Sequence, residues 1–170
     1  MPEAKSYSTI PTKILVPVDF SPSSRAAVES AADLAQHFGA ALHLVHVVPM
    51  FPATTMPDFI PETKFTDEAK KEAERHFAAA NADLTGKGIK VSSSVDVGDD
   101  VASSIMETVD RESADMVVIS SHGLTGWHPL FFGSIAEKVM KLVACPVLLL
   151  RTPKPAGGAK VAPGRLMEWW

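Results

Sequence analysis

Two hydrophobic periods take turns along this chain: a short β-branched run, then apolar residues three and four apart, then another run. The segment KILVPV, Lys13 to Val18, predicts a first strand. It ends at Asp19-Phe20-Ser21-Pro22, where Ser21 can cap a helix and Pro22 can take its first position. Ala26, Ala27, Ser30, Ala31, Leu34, Ala35 and Phe38 then recur at helical spacing as far as Gly39, and so small a stripe predicts a helix lying close on a sheet. ALHLVHVV, Ala41 to Val48, is apolar on both parities, as a strand covered on both faces must be.

Residues 49–65 hold four prolines and no period, which predicts a loop or a lid of short turns. Thr66, followed by Asp67 and Glu68, opens a helix that runs through Ala69, Ala73, Phe77, Ala80 and Leu84 to Gly86. Ile89 to Val97 alternates with one polar face, the mark of an edge strand. Asp99 or Asp100 caps a helix with Val101, Ile105, Met106 and Val109 on its apolar stripe. Asp115 to Ser120 is a fourth strand; beyond a glycine-bearing loop, Ile135, Val139, Met140, Leu142 and Val143 mark the last helix. Pro146 to Leu150 is the fifth strand. Such alternation specifies the α/β class with a parallel sheet covered on both sides, because right-handed crossovers put helices on the faces.

At 170 residues and 46% hydrophobic content the chain can bury one core. The expected organisation is a flexible N-terminus over residues 1–10, one domain over 11–151, and a Pro- and Gly-rich tail over 152–170. That tail closes on Trp169-Trp170, which either dock in a groove or end free. A formal charge of −4 provides no basic face for nucleic acid. Cys145 is the only cysteine, which fits a reducing compartment. The N-terminal residues lack a signal-peptide pattern and no apolar run reaches membrane-spanning length, so the expectation is a soluble, cytoplasmic protein with no membrane partner.

Candidate chemistry concentrates between the fourth strand and the last helix. Gly123 and Gly133 flank the nine residues from Leu124 to Phe132, and Ser134 stands where a helix begins, so backbone N–H groups there can face an anion such as phosphate. Equally, the glycines can serve turns and Ser134 can simply cap; the residues alone leave both readings open. Neither a G-x-G-x-x-G helix opening nor a Walker lysine is present. Trp127, Pro129, Phe131 and Phe132 either fold over a bound group or anchor the loop, the latter being the expectation for the two phenylalanines. His122 and His128 lie in the same loop. His43 and His46, three residues apart on a strand, point to opposite faces, so no shared metal is expected. Cys145 has no charged sequence neighbour to activate it and is expected to be a buried small residue.

KILVPVDFSPSSRAAVESAADLA, the strand LVHVV, the turn VGDD and SSHGLTGWHPLFFGSIAEKVMKLVACPVLLL together resemble the universal stress protein family over residues 11–151. The resemblance implies an open, five-stranded parallel sheet in the order 3-2-1-4-5, Rossmann-like and similar to the adenine nucleotide alpha hydrolases. It places ATP at the carboxyl ends of strands one and four, where the strand order reverses. ATP-binding members carry G-x-x-G-x(9)-G-[ST]; here the frame reads Ser120-Ser121-His122-Gly123, nine residues, then Gly133-Ser134, with Ser120 in place of the first glycine.

Carried over to this sequence, Pro17, Val18 and Asp19 match positions flanking adenine and ribose, Asp19 accepting from the ribose hydroxyls, and Val47 matches an adenine contact. Ile119, Ser120, Gly123, Gly133, Ser134, Ile135 and Ala136 match the phosphate and ribose wall. Asp19 can also serve the N-terminus of the following helix, a compatible role. Magnesium would be bound through the phosphates. With no evident general base or arginine finger on the motif, the chain is at most a slow ATPase. The implied function is an ATP-binding stress-response or signalling module read by a protein partner. The alternative is a non-nucleotide-binding member working as a dimeric protein-interaction module. The apolar edge strand PVLLLR predicts a homodimer paired through it, unless the tail covers that edge.

Overall fold

The computed structural model describes residues 9–50, 62–122 and 133–151. Its elements run β1 (Lys13–Pro17), α1 (Pro22–Phe38), β2 (Ala41–Pro49), α2 (Glu62–Gly86), β3 (Val91–Gly98), α3 (Val101–Glu112), β4 (Met116–Ser120), α4 (Ser134–Leu142) and β5 (Val147–Leu150). The strands form one sheet in the order β3-β2-β1-β4-β5, with every pairing parallel. This is the expected α/β architecture and strand order.

Strand parity divides the core into two layers. Ile14, Val16, Leu42, Leu44 and Val118 meet α1 and α2 on one face, where Ala27, Val28, Ala31, Phe77 and Leu84 pack on them. Leu15, Val45, Val47, Val117 and Ile119 meet α3 and α4 on the other, against Ala102, Ile105, Val109, Ala136 and Val139. Phe77 is among the largest fully buried side chains; truncating such a residue to Ala costs about 3–5 kcal/mol. Among the described residues no helix is long and apolar enough to cross a membrane.

The ends of α1 follow the sequence signals. Ser21 is the N-cap and its Oγ accepts the Ser24 N–H at 3.1 Å, Pro22 follows it, and Gly39 closes the helix in the left-handed region at φ 71°. Its buried stripe, however, is Ser24, Ala27, Val28, Ala31, Ala32 and Ala35; Ala26, Ser30 and Leu34 are half-buried and Phe38 is exposed. The helix is turned so that Val28 meets the sheet, since covering a valine removes more apolar surface from water than covering Ala26.

Three other expectations are corrected. Helix α2 starts at Glu62 rather than Thr66, directly after the last proline of the run, because nothing in residues 62–65 blocks helical backbone. Helix α3 buries Ala102, Ile105, Thr108 and Val109, with Val101 and Met106 at the margin. Helix α4 buries Ala136 and Val139, with Met140 half-buried and Ile135 and Leu142 exposed, as is Leu148 of β5. As an edge strand β3 is more polar than its neighbour, as expected, and none of its residues is fully buried.

Candidate functional site

Strands β1 and β4 are the central pair, yet their ladder covers only Ile14↔Met116 and Leu15↔Val117. The β1–β2 ladder, by contrast, runs from Lys13 to Pro17. Backbone direction explains the difference. The Lys13 carbonyl accepts the Asp115 N–H at 3.0 Å, so odd-numbered residues of β1 face β4; the Val18 N–H reaches the Val45 carbonyl at 2.8 Å, so even-numbered ones face β2. Pro17 therefore lacks its N–H on the β4 side, and the ladder stops before it. The ladder thus ends short of the carboxyl ends of β1 and β4, where the strand order reverses, the place where open α/β sheets receive ligands.

Beyond Pro17 the chain makes a tight turn. Asp19 Oδ1 accepts the Ser21 N–H at 3.0 Å, so its carboxylate does serve the approach to α1. Between them Phe20 has φ 60°, a left-handed conformation that costs an L-residue about 1–2 kcal/mol. Its ring lies 4.7 Å from His46, 5.1 Å from His76 and 5.5 Å from Phe77, all tilted; aromatic pairs of this kind each contribute about 0.5–1.5 kcal/mol and together offset the strain. The His46 Nδ1–H donates to the Val18 carbonyl at 2.7 Å. Burial lowers the pKa of His46, outweighing that bond and the nearby Asp19 charge, and so favours the neutral ring.

At the end of β4 the hydroxyl of Ser120 donates to the His122 carbonyl at 3.1 Å, and Ser121 Oγ lies 2.9 Å from His122 Nδ1. The Ser121 N–H continues the ladder to the Leu150 carbonyl, while its own carbonyl accepts the Gly133 N–H at 2.8 Å. The Gly133 bond ties the start of α4 to the end of β4. Gly133 is the N-cap of α4, so Ser134 is the first helical residue rather than a cap, and among the described residues no side chain caps the helix. The first intrahelical bond runs from the Glu137 N–H to the Gly133 carbonyl, so the amides of Ser134, Ile135 and Ala136 have no partner among the described residues. A helix start of this kind favours an anion.

The structure brings Val47, Ile119 and Ala136 together in the α3/α4-side core, whereas Val18 packs on the opposite face of the sheet. Pro17, Asp19 and Ser120 lie at the carboxyl edge of the sheet, and Gly133, Ser134 and Ile135 at the start of α4. Gly123, Trp127, His128, Pro129, Phe131 and Phe132 lie outside the described residues. Cys145 is half-buried rather than fully buried, and burial raises its thiol pKa.

His43 and His46 do point to opposite faces, and His43 enters a polar network that sequence reasoning missed. It is 3% exposed, with Nδ1 2.8 Å from Ser92 Oγ and Nε2 3.1 Å from Ser94 Oγ. Thr108 and Arg111 converge on Asp96 at 2.7 and 2.9 Å, and Lys13 on Glu112 at 2.6 Å. The available signal was polar residues two apart on β3 and three or four apart on α3, which share one interface. Among the described residues no group of three His, Cys, Asp or Glu side chains could hold a metal ion.

The model of the universal stress protein family matches residues 11–151 of this sequence. The chain belongs to the universal stress protein family. A universal stress protein of Methanocaldococcus jannaschii is 29% identical over 142 residues, covering 84% of this chain and 83% of that one. The solved structure of a second universal stress protein from that organism aligns with a TM-score of 0.75 at 25% identity, over 86% of this chain and 99% of that one. An Archaeoglobus fulgidus universal stress protein solved in complex with dAMP shares the fold, with a TM-score of 0.59 at 22% identity over 83% of this chain and 98% of that one. This universal stress protein thus has the family's Rossmann-like sheet, with its β1–β4 ladder ending short of the carboxyl ends of those strands.

Proposed function

We propose that this universal stress protein binds ATP in the crevice between β1 and β4 and passes the nucleotide state to a protein partner or a second copy of itself. The observation that carries this is the start of α4, whose first amides have no partner among the described residues, together with the early end of the β1–β4 ladder. Phosphate oxygens would meet the amides of Ser134, Ile135 and Ala136 and the Ser134 hydroxyl, with Gly123 and Gly133 allowing close backbone approach. Asp19 would accept from the ribose hydroxyls, while Pro17, Val18, Val47, Ile119 and Ser120 would bound the adenine and ribose. The residues fit the nucleotide: a carboxylate at the β1 end and donors at α4 match its two ends. Magnesium would be held through the phosphates and would neutralise their charge. The dAMP complex of the A. fulgidus relative supports an adenine nucleotide. Hydrolysis, if any, would be slow, and the setting cytoplasmic.

One observation favours the second reading, a dimeric protein-interaction module without nucleotide. Ser120 adds a Cβ where ATP-binding members have glycine, and its hydroxyl is already bonded to the His122 carbonyl. In either reading the homodimer would pair through β5, whose Val147 and Leu149 backbone groups face away from β4. Those of Pro146 and Leu150 face towards it, their carbonyls accepting the amides of Val117 and Ser121.

The test is mass spectrometry of the denatured protein for retained nucleotide, then calorimetric titration with ATP and magnesium. Ser134→Asp is the control: a carboxylate at the first position of α4 favours the helix but repels phosphate. Saturable binding by the wild type, lost in Ser134→Asp with its melting temperature kept, supports the first reading. No retained nucleotide and a flat wild-type titration overturn it in favour of the second.

A further inference from the structure

Two non-glycine residues among those described adopt the left-handed region, Ser113 and Phe20. Ser113 is the C-cap of α3, where that conformation is ordinary. Phe20 ends no helix. It stands between Asp19 and the cap of α1, just past the carboxyl end of β1, and residues held this way persist only where their surroundings enforce the conformation. Among the described residues aromatic groups surround it: His46 of β2, and His76 and Phe77 of α2. His46 is itself fixed by its bond to the Val18 carbonyl, two residues before Phe20.

We infer that Phe20 is a positioning residue: its ring, clamped between β2 and α2, holds the Asp19–Ser21 turn in the one conformation that directs the Asp19 carboxylate at the carboxyl end of β1. What that carboxylate meets rests on the nucleotide reading above; the clamp itself does not. Two of the three rings against it among the described residues belong to α2, so the setting of Asp19 is coupled to the seating of that helix. The bond from the Ser21 N–H to Asp19 Oδ1 reports on the turn without any ligand.

The test measures hydrogen exchange of the Ser21 amide in ligand-free protein, and ATP affinity by calorimetry, for wild type, Phe20→Gly, Phe20→Tyr and His76→Ala. Glycine accepts positive φ more readily than phenylalanine but has no ring, so the backbone and the clamp pull in opposite directions. The clamp predicts Ser21 exchange about two- to ten-fold faster and ATP binding weaker by a similar factor in Phe20→Gly, the range expected for lost aromatic contacts. Phe20→Tyr keeps the wild-type values, and His76→Ala falls between. Ser21 protection unchanged in both Phe20→Gly and His76→Ala overturns the inference. If Phe20→Gly does not fold, His76→Ala decides alone, since it leaves the turn's own sequence intact. A wild type with no ATP affinity would sink the nucleotide reading, while Ser21 exchange would still decide the clamp.

Discussion

The amide of Gly133 donates to the carbonyl of Ser121 at 2.8 Å, tying the start of α4 to the end of β4. A Cβ on Gly133 would come within 3.2 Å of that oxygen and 3.8 Å of the His122 Cα. Its φ of −58° suits any residue, so the constraint is space rather than conformation. Gly133→Ala should push α4 outward and cost about 1 kcal/mol. The expected result is a lower urea midpoint at unchanged slope and, on the proposed nucleotide function, weaker ATP binding because the α4 amides would be displaced. An unchanged midpoint would show that α4 moves freely there.

Acid should weaken the fold through its buried histidines. Burial lowers the pKa of His43 against the pull of Glu112, 3.6 Å away; the charges of Lys13 and Arg111 lower it further and Asp96 opposes them. His46 is also lowered, mainly by burial. Both titrate below 6.5 in the folded state, so the unfolded chain binds more protons as pH falls. Their stability contribution is complete above pH 6.5 and declines as pH drops towards the folded values. Urea midpoints should therefore fall between about pH 7.5 and about pH 5.5, and His43→Gln should flatten the decline. An equal decline in that variant would place its origin elsewhere.

Asp115 joins the first residues of the β1 segment to β4. Its carboxylate accepts the Thr12 N–H at 2.9 Å, the Thr12 hydroxyl at 2.6 Å and the Lys13 N–H at 3.0 Å. Burial opposes ionisation, but these bonds prevail and lower its pKa below 3.8. Asp115→Ala leaves those donors without their acceptor and should cost about 1–2 kcal/mol, read as a lower denaturation midpoint. Its wild-type contribution is present above pH 3.8 and lost as pH falls through the folded value, so the variant should differ least from wild type in strong acid.

A dimer paired through β5 should be sensitive to Leu148, a large apolar side chain that is 39% exposed. Leu148→Lys places a charge on each copy at that edge, the usual device against strand pairing. Sedimentation velocity should show a dimer for the wild type and a monomer for the variant, with little change in melting temperature. A monomeric wild type at micromolar concentration would count against the pairing.

What the residues alone determined was local. The caps Ser21 and Gly39, the alternating periods, the polar character of β3 and the opposed faces of His43 and His46 depend on neighbours a few positions away, and the structure has them as read. The strand order came from family likeness, because hydrophobic period does not say which parallel strands adjoin. Only the tertiary structure decided that Val28 rather than Ala26 faces the sheet and that the missing N–H of Pro17 falls on the β4 side. It also decided that Phe20 is held in the left-handed region by rings from β2 and α2, and that His43 is buried against the serines of β3. Each depends on groups distant in sequence, whose hydrogen-bond directions and packing exist only once the strands are in register.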